Sequence, residues 1–335
     1  MTSQPLYDPD SLQNRDPAAI ERLLAEIEPL IERFYHPSLR GLERIPAGPA
    51  LYVENHNAGL LMADAWALAS GLFRHSGLDA LPFVLAHDLA LRPPALNRLL
   101  CPLGAVRANR DTAARIFDAG HKALVFPGGD LEVLRPFAKR DQIVFGPRRG
   151  YIKLALRSGV PIIPVVTAGA HSGFVVLSDG QRIAKAFGFP RWARVNVCPV
   201  VLSVPWGLTI GFPPPYIPLP TRIYTEVLAP ITFPRSGAEA AEDDAYVERC
   251  HERVVLTMQE ALDRLARERR EKRRDRLGGK ARELFDRALA RVGLGRSPAS
   301  GLDPLNDLAR GGPVERHDSE WREFVHPADR RSDAA

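Results

Sequence analysis

Four short apolar runs, ALYVEN (50–55), PFVLA (82–86), ALVF (123–126) and PIIPVV (161–166), alternate with helix-like stretches around 63–72, 112–119 and 149–158. Strands that read as continuously apolar have both faces covered, and helices between them supply the cover. The pattern therefore predicts an α/β fold with a mostly parallel central sheet flanked by helices. Sites in such sheets gather at the carboxyl ends of the strands. The segments ENHNAG (54–59) and FPGG (126–129) both fall there.

The flanks extend this core. From Pro17 to Phe34, the residues Ile20, Leu23, Leu24, Ile27, Leu30, Ile31 and Phe34 repeat at helical spacing, with Asp16 placed to cap the first turn. This amphipathic N-terminal helix is expected to pack on the core, with a membrane-facing role as the alternative. The segment 199–220 is apolar but holds seven prolines and two glycines, so it reads as a long loop, packed over the sheet or meeting lipid through Trp206, Phe212 and Tyr216. The run 222–231 reads as a returning strand. A charged helix from 245 passes through ERREKRRDR (268–276), breaks at Gly278-Gly279 and restarts with Ala281, Leu284, Phe285, Ala288, Leu289 and Val292 on one face. That face suits an anionic membrane surface, or is simply the underside of a solvated helix. The expected division is a flexible N-terminus (1–16), a folded domain (17–262), a basic amphipathic helical extension (263–296) and a disordered tail (297–335).

Charge and cysteines narrow the class. The net charge of +5 and pI near 9.3 favour an anionic partner. The basic run lacks interleaved aromatics or a known module, so no nucleic acid is expected. Cys101, Cys198 and Cys250 are far apart, with no Cys-x-x-Cys and no histidine at ligand spacing, which indicates neither a disulfide framework nor a metal site. No apolar run reaches the roughly 18 residues of a spanning helix and no secretory leader is evident. The expected place is cytoplasmic, peripheral on the inner face of a membrane.

The chemistry centres on His56, set in a turn between a strand and a helix, with Asp64 further along. A strand ending in Phe126-Pro127-Gly128-Gly129 follows some 70 residues later. Adjacent glycines allow a backbone to approach a ligand or adopt positive φ. Together with the segment GAVRANR (104–110) and Val160-Pro-Ile-Ile-Pro164, these resemble, in order and spacing, the four sequence blocks of the glycerol-phosphate and lysophospholipid acyltransferase superfamily, over roughly residues 40–232. The Phe-Pro-Gly-Gly form is similar to the branch that esterifies neutral alcohols, including diacylglycerol- and phytol-type acyltransferases. The resemblance implies that His56 is a general base, that Asp64 orients it, and that Arg107, Arg110, Phe126, Pro127, Gly128, Gly129, Glu132 and Arg135 bind substrate. It also implies a thioester donor, acyl-CoA or an acyl carrier protein, a lipid alcohol acceptor and no other cofactor.

Two positions depart from the family pattern. Seven residues rather than four separate His56 from Asp64, so an unbroken helix would hold them about 12 Å apart and a turn through Asn57-Ala58-Gly59 is required. In the third block Gly129 is taken to stand where phosphate-acceptor enzymes have glutamate, with Asp130 and Glu132 as candidates to replace it. Two other functions remain: an inactive lipid-binding protein of this fold at a membrane surface, or a lipid ester hydrolase. The latter is disfavoured because Ser172 lies out of register for a Gly-x-Ser-x-Gly elbow.

Overall fold

The computed structural model describes residues 6–57, 61–192, 196–211 and 215–277. The chain begins with α1 (Pro17–Tyr35), β1 (Ser38–Arg40), β2 (Leu51–Glu54), α2 (Ala63–Ser76) and β3 (Phe83–Ala86). It continues through α3 (Asp88–Leu91), α4 (Pro94–Leu100), β4 (Ala105–Arg107), α5 (Arg110–Asp118), β5 (Ala123–Val125), α6 (Gly129–Val133), α7 (Gly150–Ser158) and β6 (Ile162–Ala168). A smaller group follows: β7 (Val175–Ser178), α8 (Gln181–Ala186), α9 (Phe189–Trp192), β8 (Val200–Ser203) and β9 (Gly207–Ile210). Last come β10 (Tyr224–Val227), α10 (Ala238–Glu242) and α11 (Asp244–Leu277).

Among the described residues the main sheet has seven strands in the order β1-β10-β6-β2-β5-β3-β4. The five strands from β6 to β4 are parallel, and β10 enters antiparallel to β6. The four apolar runs form β2, β3, β5 and β6, and the run 222–231 supplies β10. One helical layer, α1 and α2, closes over the sheet: Ile20 and Leu24 meet Leu68 and Leu72 above Tyr52, Leu124 and Ile163. Asp16 caps α1, accepting from the amides of Ala18 and Ala19. Of the two roles considered for this helix, core packing is the one its buried stripe serves.

Three expectations change. Residues 6–16 are not free: the Tyr7 amide donates to Asn97 Oδ1 (2.9 Å) and the Arg107 amide to the Pro9 carbonyl (2.9 Å), so this segment lies along the edge strand β4. No boundary falls at 262, because α11 runs through it, packs on β6, and keeps Leu265 and Ala266 as buried as Leu262. The remainder of the expected extension and the tail, 278–335, lies outside the described residues. Finally, much of 199–220 is not loop: β7, β8 and β9 form an antiparallel three-stranded sheet. The prolines had argued against regular structure, but Pro199 precedes β8 and Pro205 sits in the turn between β8 and β9, where no ladder amide is needed.

Candidate active site

Strands β2 and β5 are parallel neighbours, so the turns leaving their carboxyl ends are side by side. His56 leaves β2 and Phe126 leaves β5, and their rings stack with centroids 4.4 Å apart. Met62, at a positive φ of 47°, precedes Ala63 and starts α2 so that Asp64 stands in its first turn. His56 Nδ1 lies 3.4 Å from Asp64 Oδ2, and the same oxygen accepts the Asn57 amide at 2.5 Å. Because the helix begins only at Ala63, two residues that an unbroken helix through 56 would separate come together. Asp64 is fully buried, and among the described residues its Oδ1 has no hydrogen-bond partner.

A buried polar frame holds this turn. The His56 amide donates to Glu132 Oε2 (3.0 Å) and the Val144 amide to Oε1 (3.0 Å). Burial pushes the Glu132 carboxyl up, against the pull of nearby Arg135 and the two amides. On β6, Thr167 exchanges hydrogen bonds with Asn55 and accepts from Asn57 Nδ2. Thr167 Oγ1 also donates to Glu54 Oε1 (3.1 Å). Burial and the neighbouring Asp64 charge raise the Glu54 carboxyl well above its ordinary range.

The glycine pair has two separate duties. A Cβ on Gly128 would stand 2.3 Å from Glu132 Cβ and Oε2, so the glycine is required by the carboxylate that holds His56. Gly129 has a φ of +48°, and a Cβ there would meet Arg148 Nη1 at 2.6 Å. Its amide closes the turn on the Phe126 carbonyl (3.1 Å) and is not offered to an oxyanion. Arg148 donates to the carbonyls of Pro127 and Gly128 and to Asp130 Oδ1. Burial alone would raise the Asp130 carboxyl, yet the Asn196 amide and Arg148 outweigh it and hold it low.

A cavity of about 440 Å³ opens onto His56, Phe126, Gly129 and Asp130. Its remaining wall is overwhelmingly apolar and comes from α1, α2 and β3, including Leu23, Ala65, Trp66, Ala69 and Leu85. Pockets for small ligands span roughly 300–1,000 Å³ and combine apolar walls with a few polar groups in this way.

The three arginines assigned to substrate are placed elsewhere. Arg135 is 1% exposed, and its five donors are all engaged, by the carbonyls of His56, Glu132, Lys139 and Arg140 and by Asn57 Oδ1. A guanidinium has five N–H groups, so none remains for a phosphate. Arg107 ends β4, three strands from β2, with its Nε 3.6 Å from both Asp10 and Asp88. Arg110 lines a different groove of about 550 Å³ between α5 and α7, which shares no lining residue with the His56 cavity. Glu132 is inside the frame rather than on the cavity wall. His56, Asp64, Phe126, Pro127, Gly128 and Gly129 do come together.

Sequence reasoning missed Thr167 and Arg148, which carry no motif of their own, and gave Asn57 only a place in the turn, not its bonds to Asp64, Thr167 and Arg135. It also left open whether His171 lines a pocket. His171 is buried, and its Nε2 lies 2.6 Å from the Arg135 carbonyl. Burial brings its pKa down to about 3, so the neutral ring is the donor to that carbonyl. Among the described residues no group of three His, Cys, Asp or Glu is arranged to hold a metal, and no helix is long and apolar enough to cross a membrane.

A family model described as Acyltransferase matches residues 36–168, which include His56, Asp64, the double-glycine turn and all of β6. An uncharacterized protein of Mycobacterium tuberculosis is 28% identical over 73% of this chain and 67% of its own length. The human "DGAT1/2-independent enzyme synthesizing storage lipids" is 30% identical over 67% of this chain and 64% of its own length. The crystal structure of the 1-acyl-sn-glycerophosphate acyltransferase PlsC from Thermotoga maritima covers 74% of this chain and 81% of its own, with 17% identity and a TM-score of 0.45.

Proposed function

We propose, from the premise that this chain is an enzyme of the glycerolipid acyltransferase superfamily, that it moves a long fatty acyl group from a thioester donor, acyl-CoA in the first instance, to the hydroxyl of a neutral lipid. The observation that carries this reading is the juxtaposition of His56, oriented through Nδ1 by Asp64, with an apolar cavity of about 440 Å³. A methylene fills a volume comparable with the roughly 30 Å³ of a water, so the cavity takes a chain of about a dozen carbons or more. The polar groups at its wall are His56, His87 and Asp130, while Arg135 is fully engaged within the frame and Arg107 and Arg110 are not among its lining residues. This supports an uncharged acceptor, as does the storage-lipid name of the human relative.

With Nδ1–H turned to Asp64, Nε2 is the basic nitrogen. It takes the proton from the acceptor hydroxyl as the oxygen attacks the thioester carbonyl. The C–O bond forms, the tetrahedral intermediate collapses with loss of the thiolate, and the imidazolium returns its proton to that sulfur. Buried Asp64 stabilises the imidazolium while it lasts. No serine nucleophile enters the scheme.

The test incubates the protein with radiolabelled palmitoyl-CoA and diacylglycerol, monoacylglycerol or a long-chain alcohol, and resolves the products. Transfer that disappears in His56→Ala and falls by about a hundredfold or more in Asp64→Asn, with unchanged thermal midpoints, is the expected result. Free fatty acid as the only product would indicate a hydrolase. Label retained without turnover would indicate a binding protein.

A further inference from the structure

The small sheet β7-β8-β9 has two unlike faces. Its inner face, through Val176 and Val201, packs with Phe174 and Tyr216 onto Val133 and Leu134, at the end of the helix that begins with Gly129 and Asp130. Among the described residues no layer covers its outer face, which should then be polar. Instead Leu202 and Leu208 are cross-strand partners, Val200 pairs with Ile210, and Val204, Trp206 and Ile217 lie beside them. Leu202, Val204, Trp206, Leu208, Ile210 and Ile217 are each between 44% and 71% exposed. Six large apolar side chains grouped on one small sheet form a patch that soluble surfaces seldom tolerate without an occupant.

Two features identify that occupant. Residues 175–222 contain five Lys and Arg against one Asp, so this stretch carries +4 of the chain's net +5. Among them Arg182 and Lys185 are exposed on α8, directly after β7. Trp206 stands at the turn of the β8–β9 hairpin with its indole N–H donated to the Pro215 carbonyl (2.9 Å), which orders the ring while leaving half of it outside. Exposed apolar side chains and an ordered tryptophan within a stretch of net positive charge are the chemistry of the boundary between phospholipid headgroups and acyl chains.

We propose that the outer face of β8 and β9 docks on a bilayer containing anionic phospholipid, with Trp206, Leu208 and Ile210 entering the interface. The small sheet then couples that surface to the catalytic turn, since its inner face rests on α6. The inference rests on the proposed lipid acceptor for its purpose, but its test is separate.

The full-length protein is floated with phosphatidylcholine vesicles, with and without phosphatidylglycerol, alongside the variant Leu208→Ser/Ile210→Ser. Transfer to a short-chain acceptor dispersed as monomers in water is measured in parallel. The wild type is expected to float with the anionic vesicles, and the variant to bind them at least about tenfold more weakly, with unchanged transfer to the monomeric acceptor. Equal flotation of the two proteins overturns the docking face, and equal binding to neutral vesicles overturns the electrostatic part. A wild type that remains in solution but sediments as a dimer, with a monomeric variant, would make the patch a contact between copies and overturn the proposal. Flotation without transfer to any acceptor would uphold docking and remove the proposed enzymatic function instead.

Discussion

Replacing Arg135 separates two accounts of the site. A residue that held substrate phosphate would raise KM when lost and leave folding alone. The structure makes a different prediction. Arg135→Met keeps the aliphatic stem but abandons four backbone carbonyls and the Asn57 amide oxygen, all within the frame that shapes the His56 turn. A buried group left without its partner costs about 1–3 kcal/mol, and removing one charge from a buried opposed set costs about 3–5 kcal/mol, here because the Glu132 carboxylate loses its nearest counter-charge. The contributions overlap, since entering water satisfies some acceptors, so the expected loss is about 4 kcal/mol or more. Native domains have only about 5–15 kcal/mol to lose. For a domain of this size the thermal midpoint should fall by about 10 °C or more. Arg135→Lys restores charge but not the planar fork, and should recover about half of that. The assay is urea denaturation followed by far-ultraviolet circular dichroism, with KM measured on whatever fraction folds. A Met variant within about 1 kcal/mol of wild type, with a raised KM, would refute the assignment of Arg135 to the frame.

Other expectations are narrower. Gly128→Ala drives a methyl into Glu132 and should cost about 1–3 kcal/mol, with a loss of activity larger than its loss of stability because the His56 amide is displaced; urea melts and turnover on the same preparation check both. Glu54 is raised well above its ordinary pKa by burial, so below about pH 4.3, where unfolded glutamate is also protonated, it makes no difference to stability. Above that pH the unfolded chain gives up a proton that the folded protein keeps, and stability falls by up to about 1.4 kcal/mol per pH unit until the folded pKa is reached. Glu54→Gln should abolish that decline, and parallel wild-type and variant stability curves between pH 5 and 8 would contradict it. Ala69→Phe fills part of the cavity wall, so the preferred acyl-CoA should shorten by several carbons in a chain-length competition assay, with the transfer of short chains preserved.

Much of this fold was legible because its signals are local. Doubly covered strands are dominated by apolar residues, and β2, β3, β5 and β6 appeared where apolar runs stood. The strands that escaped notice, β1 and β4, are three residues long and lie at the two edges of the sheet, where burial on both sides is not demanded. The hairpin β8–β9 was hidden by proline content, although its alternating burial is itself a strand signature. Arginines were the least legible residues. A guanidinium that holds five buried oxygens and one that meets a phosphate are the same letter, and only the acceptors around it decide between them.

The two departures from the family pattern have a common physical explanation. Counting eight residues along a helix separates His56 from Asp64, but α2 starts only at Ala63, and the carboxylate comes back to the imidazole. His56 and Asn57 are held from the other side of the double glycine, where Glu132 accepts the His56 amide and Arg135 donates to the His56 carbonyl and to Asn57 Oδ1. The space where a side chain at position 128 would stand is occupied by the Glu132 side chain, reaching in from α6. Counted from Phe126-Pro127, the place that holds glutamate in the Phe-Pro-Glu-Gly form is Gly128 and not Gly129, and a side chain there would collide with Glu132. The Glu132 carboxylate faces the amides of His56 and Val144 and not the cavity. Asp130, the remaining acid at the cavity wall, is already engaged by Arg148 and Asn196. Both carboxylates beside the double glycine, Glu132 and Asp130, are thus already partnered within the protein.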